Sequence, residues 1–200
     1  MQKITQLKHY KMEVIETKIP EVKIIVPKVF KDDRGYFFES FNQKEFEEKV
    51  CKTTFVQDNQ SMSCAGTLRG LHWQMPPYAQ SKLVRCVRGA VFDVAVDIRV
   101  GSPTYLEWVG VVLSEQNCKQ LFIPRGFAHG FLALSSDAIF QYKCDNLYNK
   151  ESECAMAWNC VGIDWPLADA PILSDKDKLN KPHYDLTTDK LFDYNVNLYD

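Results

Sequence analysis

Hydrophobic and polar residues alternate along residues 91–99, which read VFDVAVDIR. One set of alternate positions is wholly apolar and consists of Phe92, Val94, Val96 and Ile98. The other set mixes apolar and charged residues and consists of Val91, Asp93, Ala95, Asp97 and Arg99. Successive side chains of a β-strand point in opposite directions, so a period of two places these sets on opposite faces. The segment is therefore predicted to be a strand with unlike faces.

Short runs of the same kind recur along the chain between turn signals. They are rich in Val, Ile, Phe and Tyr and comprise residues 22–26, 36–41, 53–59, 82–87, 105–113, 120–123 and 138–144. Many short strands at this spacing predict an antiparallel sandwich or barrel of the jelly-roll type. One early helix is predicted over residues 42–50, where Asn42 can cap the first turn and Phe46 and Val50 share a stripe. The alternation weakens after residue 144, and with no internal linker the chain is predicted to form one domain.

Composition narrows the class of protein. The 200 residues are 46% hydrophobic and 25% charged, and a formal net charge of −2 argues against a nucleic-acid or anionic-membrane surface. No stretch approaches the roughly 18 apolar residues of a membrane span, and residues 1–10 lack a signal-peptide core. Seven cysteines, an odd number without a C-x-x-C pair, are expected to be reduced thiols in a cytoplasmic protein.

Two of the four histidines lie in related contexts, RGLHWQ at residues 69–74 and PRGFAHGF at residues 124–131. Each places a histidine among apolar residues and beside glycine on a predicted strand, where it could hold a metal, move a proton or fill the core. The P-x-G-x-x-H spacing before His129 resembles a motif of the cupin superfamily, many of whose members bind a metal. His72, however, is followed by Gln74 instead of a second histidine, and no Glu lies between that residue and residue 89. With too few ligands, no metal and no other cofactor is predicted.

The charges near His72 favour a functional role over a structural one. Arg69 and Lys82 lie close to it in the sequence, and burying three cationic groups together without an acidic partner or anionic ligand would be unfavourable. Such a cluster suits a bound phosphate or a developing oxyanion. An imidazole is also the side chain best suited to proton transfer near neutral pH.

Taken together, these segments resemble the dTDP-4-dehydrorhamnose 3,5-epimerase family. The matching stretches span about residues 20–177 in order and include PKVFKDDRGYFFESFN, FVQDNQS, LRGLHWQ, AQSKLVRCVRGAVFDVAVDIR, FIPRGFAHGF, FQYKCDN, GIDWP and LSDKD. The resemblance implies an all-β, metal-free cupin-type jelly roll, a double-stranded β-helix barrel with a few short helices, that forms a homodimer. Residues 1–12 are then expected to be an extension and residues 174–200 a tail packed on the barrel.

The resemblance also implies a reaction and the residues that carry it. The substrate would be dTDP-4-dehydro-6-deoxy-D-glucose, which is inverted at C3 and C5 to dTDP-4-dehydro-L-rhamnose for dTDP-L-rhamnose biosynthesis. The catalytic group would comprise His72 as base, Asp177 as its orienting partner, Lys82 at the enolate oxygen, Tyr142 as the opposing acid, His129 in support and Asp93 in the same network. The substrate-binding group would comprise Arg34 and Arg69 at the diphosphate, Phe37, Glu39, Gln57, Asn59 and Tyr148 around the thymidine and sugar, and Lys82 and His129.

One position departs from the family pattern. Leu147 precedes Tyr148 where the family commonly has two consecutive aromatic residues, so directional stacking on the base is weakened. Several alternatives therefore remain: an epimerase of C3 or C5 alone, an epimerase of another nucleotide 4-keto-6-deoxy sugar, and a non-catalytic sugar-nucleotide-binding cupin. A metal-dependent cupin enzyme is a further alternative.

Overall fold

The computed structural model describes residues 12–199, so the predicted extension, residues 1–12, lies outside the described residues except for Met12. The described strands are β1 (Glu13–Glu16), β2 (Lys23–Val26), β3 (Phe30–Asp32), β4 (Gly35–Phe37), β5 (Gln57–Ser63), β6 (Leu68–Gln74), β7 (Lys82–Arg88), β8 (Ala90–Asp97), β9 (Arg99–Val100), β10 (Trp108–Ser114), β11 (Gln120–Ile123), β12 (Phe127–Ala133), β13 (Ala138–Cys144), β14 (Glu153–Ala155) and β15 (Phe192–Asp193). The helices are α1 (Gln43–Lys49) and three 3₁₀ turns at Asp177–Leu179, His183–Asp185 and Thr188–Lys190.

Two antiparallel sheets face each other. One has six strands in the order β1-β2-β11-β7-β13-β5, and the other has five in the order β10-β8-β12-β6-β14. The core between them combines Val84 and Phe140 of the six-stranded sheet with Val91 and Phe131 of the five-stranded sheet. Apolar side chains at alternate positions are thereby removed from water, which is the main favourable term in folding. The predicted all-β sandwich is confirmed.

The single early helix forms where its cap predicts it. Asn42 is the N-cap, and its Oδ1 accepts a hydrogen bond from the backbone N–H of Glu45 at 3.1 Å. Phe46 is buried against Ile25 and Phe122, on the side of the six-stranded sheet away from the central core. The helix therefore covers part of that sheet's outer face.

Strand β8 is buried on both faces, which its alternating pattern does not reveal. Val91 and Ala95 face the core between the sheets, whereas Val94 and Val96 pack under residues from the C-terminal part of the chain. Asp97 is wholly buried, and it accepts hydrogen bonds from the side chains of its neighbours Arg99, Ser102 and Thr104. Each face of β8 thus packs into a different hydrophobic core.

The C-terminal tail runs back along the sandwich. The indole N–H of Trp73 donates to the backbone carbonyl of Lys190 at 2.9 Å. Near the end of the chain, the Tyr199 hydroxyl lies 2.7 Å from Ser81 Oγ, and the Arg125 guanidinium donates to the carbonyl of Leu198 at 2.7 Å. These contacts hold the tail against the strands that carry the functional residues described below.

Several element bounds differ from the sequence prediction. The strand predicted at residues 53–59 begins at Gln57 and continues to Ser63, because Phe55 packs instead on the helix residue Phe46, with ring centroids 5.2 Å apart. The strand predicted at residues 36–41 is only Gly35–Phe37. The short strands β1, β3, β9, β14 and β15 have two to four residues, too few to show a period in sequence.

The described part of the chain bears on two expectations from the sequence, which concern membrane-spanning segments and the state of the cysteines. Within residues 12–199, no helix has the length and apolar character needed to cross a bilayer. All seven cysteines lie in this part and are free, and Cys86, Cys144 and Cys154 are buried as small apolar side chains.

Candidate active site

A pair of adjoining cavities lies between the two sheets. Both are lined by His72 of β6, Lys82 of β7, Tyr142 of β13 and Glu153 of β14. The first, here called the Arg69 cavity, has a volume of about 320 Å³ and is further lined by Ser61, Arg69, His129, Phe131, Ser174, Lys176 and Asp177. The second, here called the Tyr148 cavity, has a volume of about 420 Å³ and is further lined by Gln57, Asn59, Trp73, Gln74, Gln80 and Tyr148.

The shared residues come from opposite sheets. Strands β6 and β14 belong to the five-stranded sheet, whereas β7 and β13 belong to the six-stranded sheet. His72 therefore approaches the space from one side, and Lys82 and Tyr142 approach it from the other. A ligand in this space would lie between an imidazole and a phenol.

His72 is paired with an aspartate from the tail. Its Nε2 lies 2.6 Å from Oδ1 of Asp177, a buried residue at the start of a 3₁₀ turn. Ser174 donates to the other carboxylate oxygen at 2.9 Å, and Asn180 donates to Oδ1 at 3.3 Å. Burial alone would raise the pKa of Asp177, but its hydrogen bond and electrostatic interaction with His72 and the bonds from Ser174 and Asn180 outweigh it. The net lowering of this pKa keeps the carboxylate ionised.

The second histidine is also paired with an acid. His129 on β12 lies opposite His72 in the strand register, and its Nε2 is 3.0 Å from Oδ2 of Asp93 on β8. Burial lowers the pKa of His129, Asp93 opposes this change, and the charges of Lys82 and His72 add to the lowering. Asp93 is completely buried, and its Oδ1 has no hydrogen-bond partner among the described residues.

Burial also changes the proton affinity of the two residues on the opposite sheet. It lowers the pKa of Lys82, although Cys144, Asp93 and Glu153 oppose the change. It raises the pKa of Tyr142, so the phenol remains protonated near neutral pH. Lys82 Nζ lies 6.0 Å from the centroid of the Tyr142 ring. The two side chains can therefore act on the same ligand.

The glycines beside the two histidines allow their strands to approach closely. A Cβ on Gly130 would lie 2.8 Å from the carbonyl oxygen of Arg69, and a Cβ on Gly70 would lie 2.5 Å from the Cα of Gly130. Gly70 also has φ +128°, a backbone conformation that L side chains rarely adopt. The pairing of β6 with β12 is irregular at this point, between His129 and Phe131. The close approach of the two strands thus explains why each of the two motifs has a glycine near its histidine.

Side chains in the Tyr148 cavity form a polar chain. The backbone N–H of Tyr148 donates to Gln57 Oε1 at 2.9 Å, and Gln57 Nε2 donates to Asn59 Oδ1 at 3.2 Å. The Tyr148 hydroxyl donates to Glu153 Oε2 at 3.0 Å. Gln57, Asn59 and Tyr148, which the family resemblance assigns to substrate binding, are therefore close to one another.

Arg69 lines the other cavity and is fixed by β5. Its Nε donates to Ser63 Oγ at 3.0 Å, and its Nη2 donates to the carbonyl of Met62 at 3.4 Å. Part of the guanidinium remains available to a ligand, because Arg69 is an exposed residue. A cation held in this way at the cavity wall suits an anionic group.

Three predicted substrate-binding residues lie elsewhere in this chain. Arg34 lies in the turn between β3 and β4, is 90% exposed and pairs with Asp32 at 2.6 Å. Phe37 is 60% exposed, and Glu39 accepts a hydrogen bond from Asn42 at 3.0 Å. None of the three lines either cavity that contains His72.

Several cavity residues were not found from the sequence. Glu153 lies on the three-residue strand β14, and its carboxylate is 2.6 Å from Lys176 Nζ. Burial would raise the pKa of Glu153, but the bonds from Lys176 and Tyr148 outweigh it and lower this pKa. Ser61, Gln74, Gln80, Phe131, Ser174 and Lys176 also line the cavities. The alternation along β5 and β13 could have indicated Ser61, which shares a face with Asn59, but Glu153 has no local signal.

Within residues 12–199, no group of three or more His, Cys, Asp or Glu side chains is arranged to hold a metal ion. The imidazoles of His72 and His129 are each paired with a different aspartate instead.

Comparison with known proteins identifies the family. A family model described as dTDP-4-dehydrorhamnose 3,5-epimerase matches residues 16–185. The chain is 60% identical over 169 residues to the dTDP-4-dehydrorhamnose 3,5-epimerase of Shigella flexneri, and this match covers 83% of the chain and 93% of the relative.

Solved structures agree with this match. A dTDP-6-deoxy-D-glucose-3,5-epimerase from Legionella pneumophila Philadelphia 1, in complex with dTDP-4-keto-L-rhamnose, is 48% identical with a TM-score of 0.90, covering 92% of this chain and 100% of that chain. A 3'-monoepimerase from Streptomyces bikiniensis in complex with dTDP-quinovose is 31% identical with a TM-score of 0.83, covering 90% and 92%. The fold is thus confirmed as the predicted cupin-type jelly roll, and the chain is an epimerase that belongs to the dTDP-4-dehydrorhamnose 3,5-epimerase family.

Proposed function

We propose that the protein epimerises dTDP-4-dehydro-6-deoxy-D-glucose at C3 and C5 and forms dTDP-4-dehydro-L-rhamnose in dTDP-L-rhamnose biosynthesis. The observation that carries the proposal is the presence of His72 and Tyr142 in the same cavities on opposite sheets, with Lys82 beside the phenol. The Legionella relative, which contains dTDP-4-keto-L-rhamnose, supports this choice of sugar nucleotide.

His72 is the base in this mechanism. The C4 ketone makes the hydrogens at C3 and C5 acidic, because loss of either one gives an enolate. With Asp177 ionised at 2.6 Å, Nε2–H donates to the carboxylate and Nδ1 is the nitrogen that accepts a proton. Asp177 also stabilises the imidazolium that forms, so it orients the base and supports its change of charge.

Lys82 stabilises the enolate oxygen. A buried ammonium is poorly solvated, which strengthens its interaction with a developing negative charge. The lowered pKa of Lys82 also makes it a better proton donor to that oxygen. His129, fixed by Asp93, supports the site from the opposite sheet, beside His72.

Tyr142 returns a proton to the opposite face of the ring. Its raised pKa keeps the phenol protonated until the carbanion needs a proton. A base on one sheet and an acid on the other can invert a carbon, whereas a single group would return the proton to the face from which it came.

The nucleotide occupies the flanking regions. Arg69 binds the diphosphate at one cavity wall, while Gln57, Asn59 and Tyr148 contact the thymidine and the sugar in the adjoining cavity. The ordinary role of such polar side chains is to orient a ligand whose remaining surface is buried.

The active form is proposed to be a cytoplasmic homodimer in which Arg34, Phe37 and Glu39 complete the partner's site. This arrangement is supported by the exposed aromatic residues Tyr36 and Phe37 on the β3–β4 hairpin. Strand β5 is also an edge strand, and its unpaired backbone groups could be covered by a second chain.

An epimerase of a single carbon is the second candidate, because the 3'-monoepimerase relative has a similar fold. Proton NMR in deuterium oxide with dTDP-4-dehydro-6-deoxy-D-glucose distinguishes the two. The proposed function requires deuterium at both C3 and C5 and the appearance of the L-rhamno product. Exchange at one carbon alone would establish a single epimerisation, and exchange at neither carbon would overturn the proposal.

The base is tested in the same assay. His72→Ala is expected to lose turnover by about 10³-fold or more, while the affinity for dTDP stays within a few-fold. His183→Ala is the matched control, because His183 lies on an outer 3₁₀ turn and lines neither cavity. Full activity in His72→Ala would refute this assignment.

A further inference from the structure

A buried hydroxyl in the Arg69 cavity has no partner. Ser61 Oγ is inaccessible to solvent and makes no hydrogen bond within the described part of the chain. Buried polar groups are nearly always hydrogen-bonded, so the Ser61 hydroxyl keeps an unused capacity to donate and to accept a hydrogen bond at the cavity wall. The residue lies on β5, where Asn59, Ser61 and Ser63 are turned inward and Asp58, Gln60 and Met62 are exposed.

The strand register places Ser61 between two parts of the proposed site. Asn59 is opposite Tyr142 on β13, Ser61 is two residues further along and opposite Phe140, and Ser63 holds the Arg69 guanidinium. Ser61 thus lies between the proposed acid and the proposed diphosphate ligand. It lines the Arg69 cavity and is absent from the wall of the Tyr148 cavity.

The chemistry of a sugar nucleotide identifies the group that would meet this hydroxyl. The anomeric carbon C1 carries the diphosphate, C3 is a reacting carbon, and C2 connects them. The C2 hydroxyl is therefore the group between the diphosphate and the reacting C3 that can both donate and accept a hydrogen bond, whereas the ring oxygen between C1 and C5 can only accept one. This assignment rests on the proposed function, because it requires a dTDP-hexose in the cavity.

We infer that Ser61 binds the C2 hydroxyl of the sugar and is a specificity-determining residue for 2-hydroxylated sugar nucleotides. A hydroxyl can both donate and accept, so Ser61 can pair with another hydroxyl in either sense. A sugar that lacks the C2 hydroxyl would leave Ser61 buried and unpaired, which is unfavourable. The site thereby selects against 2-deoxy sugars without affecting the nucleotide.

The test compares three unreactive ligands by calorimetry: dTDP, dTDP-glucose and dTDP-2-deoxyglucose. The wild-type protein is expected to bind dTDP-glucose about 5- to 10-fold more tightly than the 2-deoxy ligand, from one hydrogen bond. In Ser61→Ala this preference is expected to disappear, whereas the affinity for dTDP stays within two-fold. The control Ser136→Ala, on an exposed loop, is expected to keep the wild-type preference.

The outcomes separate this inference from the proposed function. An unchanged preference in Ser61→Ala, or equal weakening of all three ligands, would overturn the assignment. Ser61→Ala is also expected to melt at or above the wild-type temperature, because it removes an unpaired buried hydroxyl, so weaker binding would not reflect misfolding. Failure of the wild-type protein to bind any of the three ligands would instead contradict the proposed function.

Discussion

The two histidines in the Arg69 cavity each have an acidic neighbour supplied by a distant segment, whereas Arg69 is held by Ser63. His72 pairs with Asp177 across 105 residues of sequence, and His129 pairs with Asp93 across 36. Glu153, paired with Lys176, supplies further negative charge that favours the charged form of Lys82. The sequence indicated that burying several cations together would be unfavourable. These acidic partners lower that free-energy cost before any ligand binds.

The His72–Asp177 pair can be tested by replacing a single carboxylate oxygen of Asp177 with an amide nitrogen. Asp177→Asn is expected to lower kcat by about 10²- to 10⁴-fold, because a neutral amide neither fixes the imidazole tautomer nor stabilises an imidazolium. KM is expected to change by only a few-fold, since Asp177 binds the histidine in this mechanism and not the nucleotide. Steady-state kinetics test this, with Asp175→Asn as the control because that side chain is fully exposed. A kcat within two-fold of wild type would contradict the role of Asp177.

Burial of His129 predicts a dependence of stability on pH. Its pKa is lowered in the folded protein, whereas a histidine in an unfolded chain has a pKa of about 6.5. Below that pH the unfolded chain therefore binds a proton that the folded chain does not. The free energy of unfolding is expected to fall as pH decreases from 7 to 5.5, by at most about 1.4 kcal/mol per pH unit for this one proton.

Denaturant titrations across this pH range, on the wild type and on His129→Gln, test the effect. A glutamine amide can still donate a hydrogen bond to Asp93 but does not titrate. The free energy of unfolding of the variant is therefore expected to depend less steeply on pH. If the free energy of unfolding changes equally with pH in the two proteins, His129 does not contribute to the pH dependence of stability.

At the scale of elements, strands β6 and β12 form the centre of the site. They place His72 and His129 side by side, and their approach depends on Gly70 and Gly130. The sequence showed a glycine near each histidine but gave no reason for it. Only the register of the two strands reveals that these glycines face each other.

Gly130→Ala tests that close approach. The added Cβ would lie 2.8 Å from the Arg69 carbonyl oxygen and 3.1 Å from Leu71 Cδ2, so one strand must move. The expected loss of stability is about 1–3 kcal/mol, as for other overpacked sites. Chemical denaturation measures it, and a free energy of unfolding equal to that of the wild type would contradict the packing described here.

Element prediction succeeded where a pattern was long enough to show its period. Strands β7 and β13 and helix α1 occur close to their predicted bounds, because the two strands have seven residues each and the helix has a cap. Strand β14 was missed although it carries Glu153, since three residues cannot define a period. A short strand is formed by pairing with its neighbour, here β6, and not by its own sequence.

At the scale of the whole molecule, residues from one chain form the proposed reaction centre but not the entire predicted site. Arg34 is 90% exposed and is absent from both cavities that contain His72. The proposed dimer accounts for this if the β3–β4 hairpin reaches the partner's cavity. Sedimentation is then expected to give the mass of two chains.

A mixing experiment tests whether Arg34 acts across the dimer. His72→Ala and Arg34→Ala are each expected to have low activity at subsaturating substrate. After subunit exchange, a mixture of the two is expected to recover activity, because each hybrid contains one site with both His72 and Arg34 intact.

The control mixture combines His72→Ala with Lys82→Ala. Both residues line the same cavity of one chain, so every site in that hybrid carries one substitution and no recovery is expected. Absence of recovery in the first mixture as well would mean that Arg34 does not act in the partner's site.

The sequence by itself determined the strand-rich architecture, the capped helix and the family resemblance, because alternation, capping residues and motifs are local properties of the chain. The tertiary structure decided which acid pairs with which base, and that both faces of β8 are buried. It also decided that Glu153 and Ser61 line the cavity. The physical reason is that these contacts join side chains far apart in sequence, and their distances depend on the packing and register of two whole sheets.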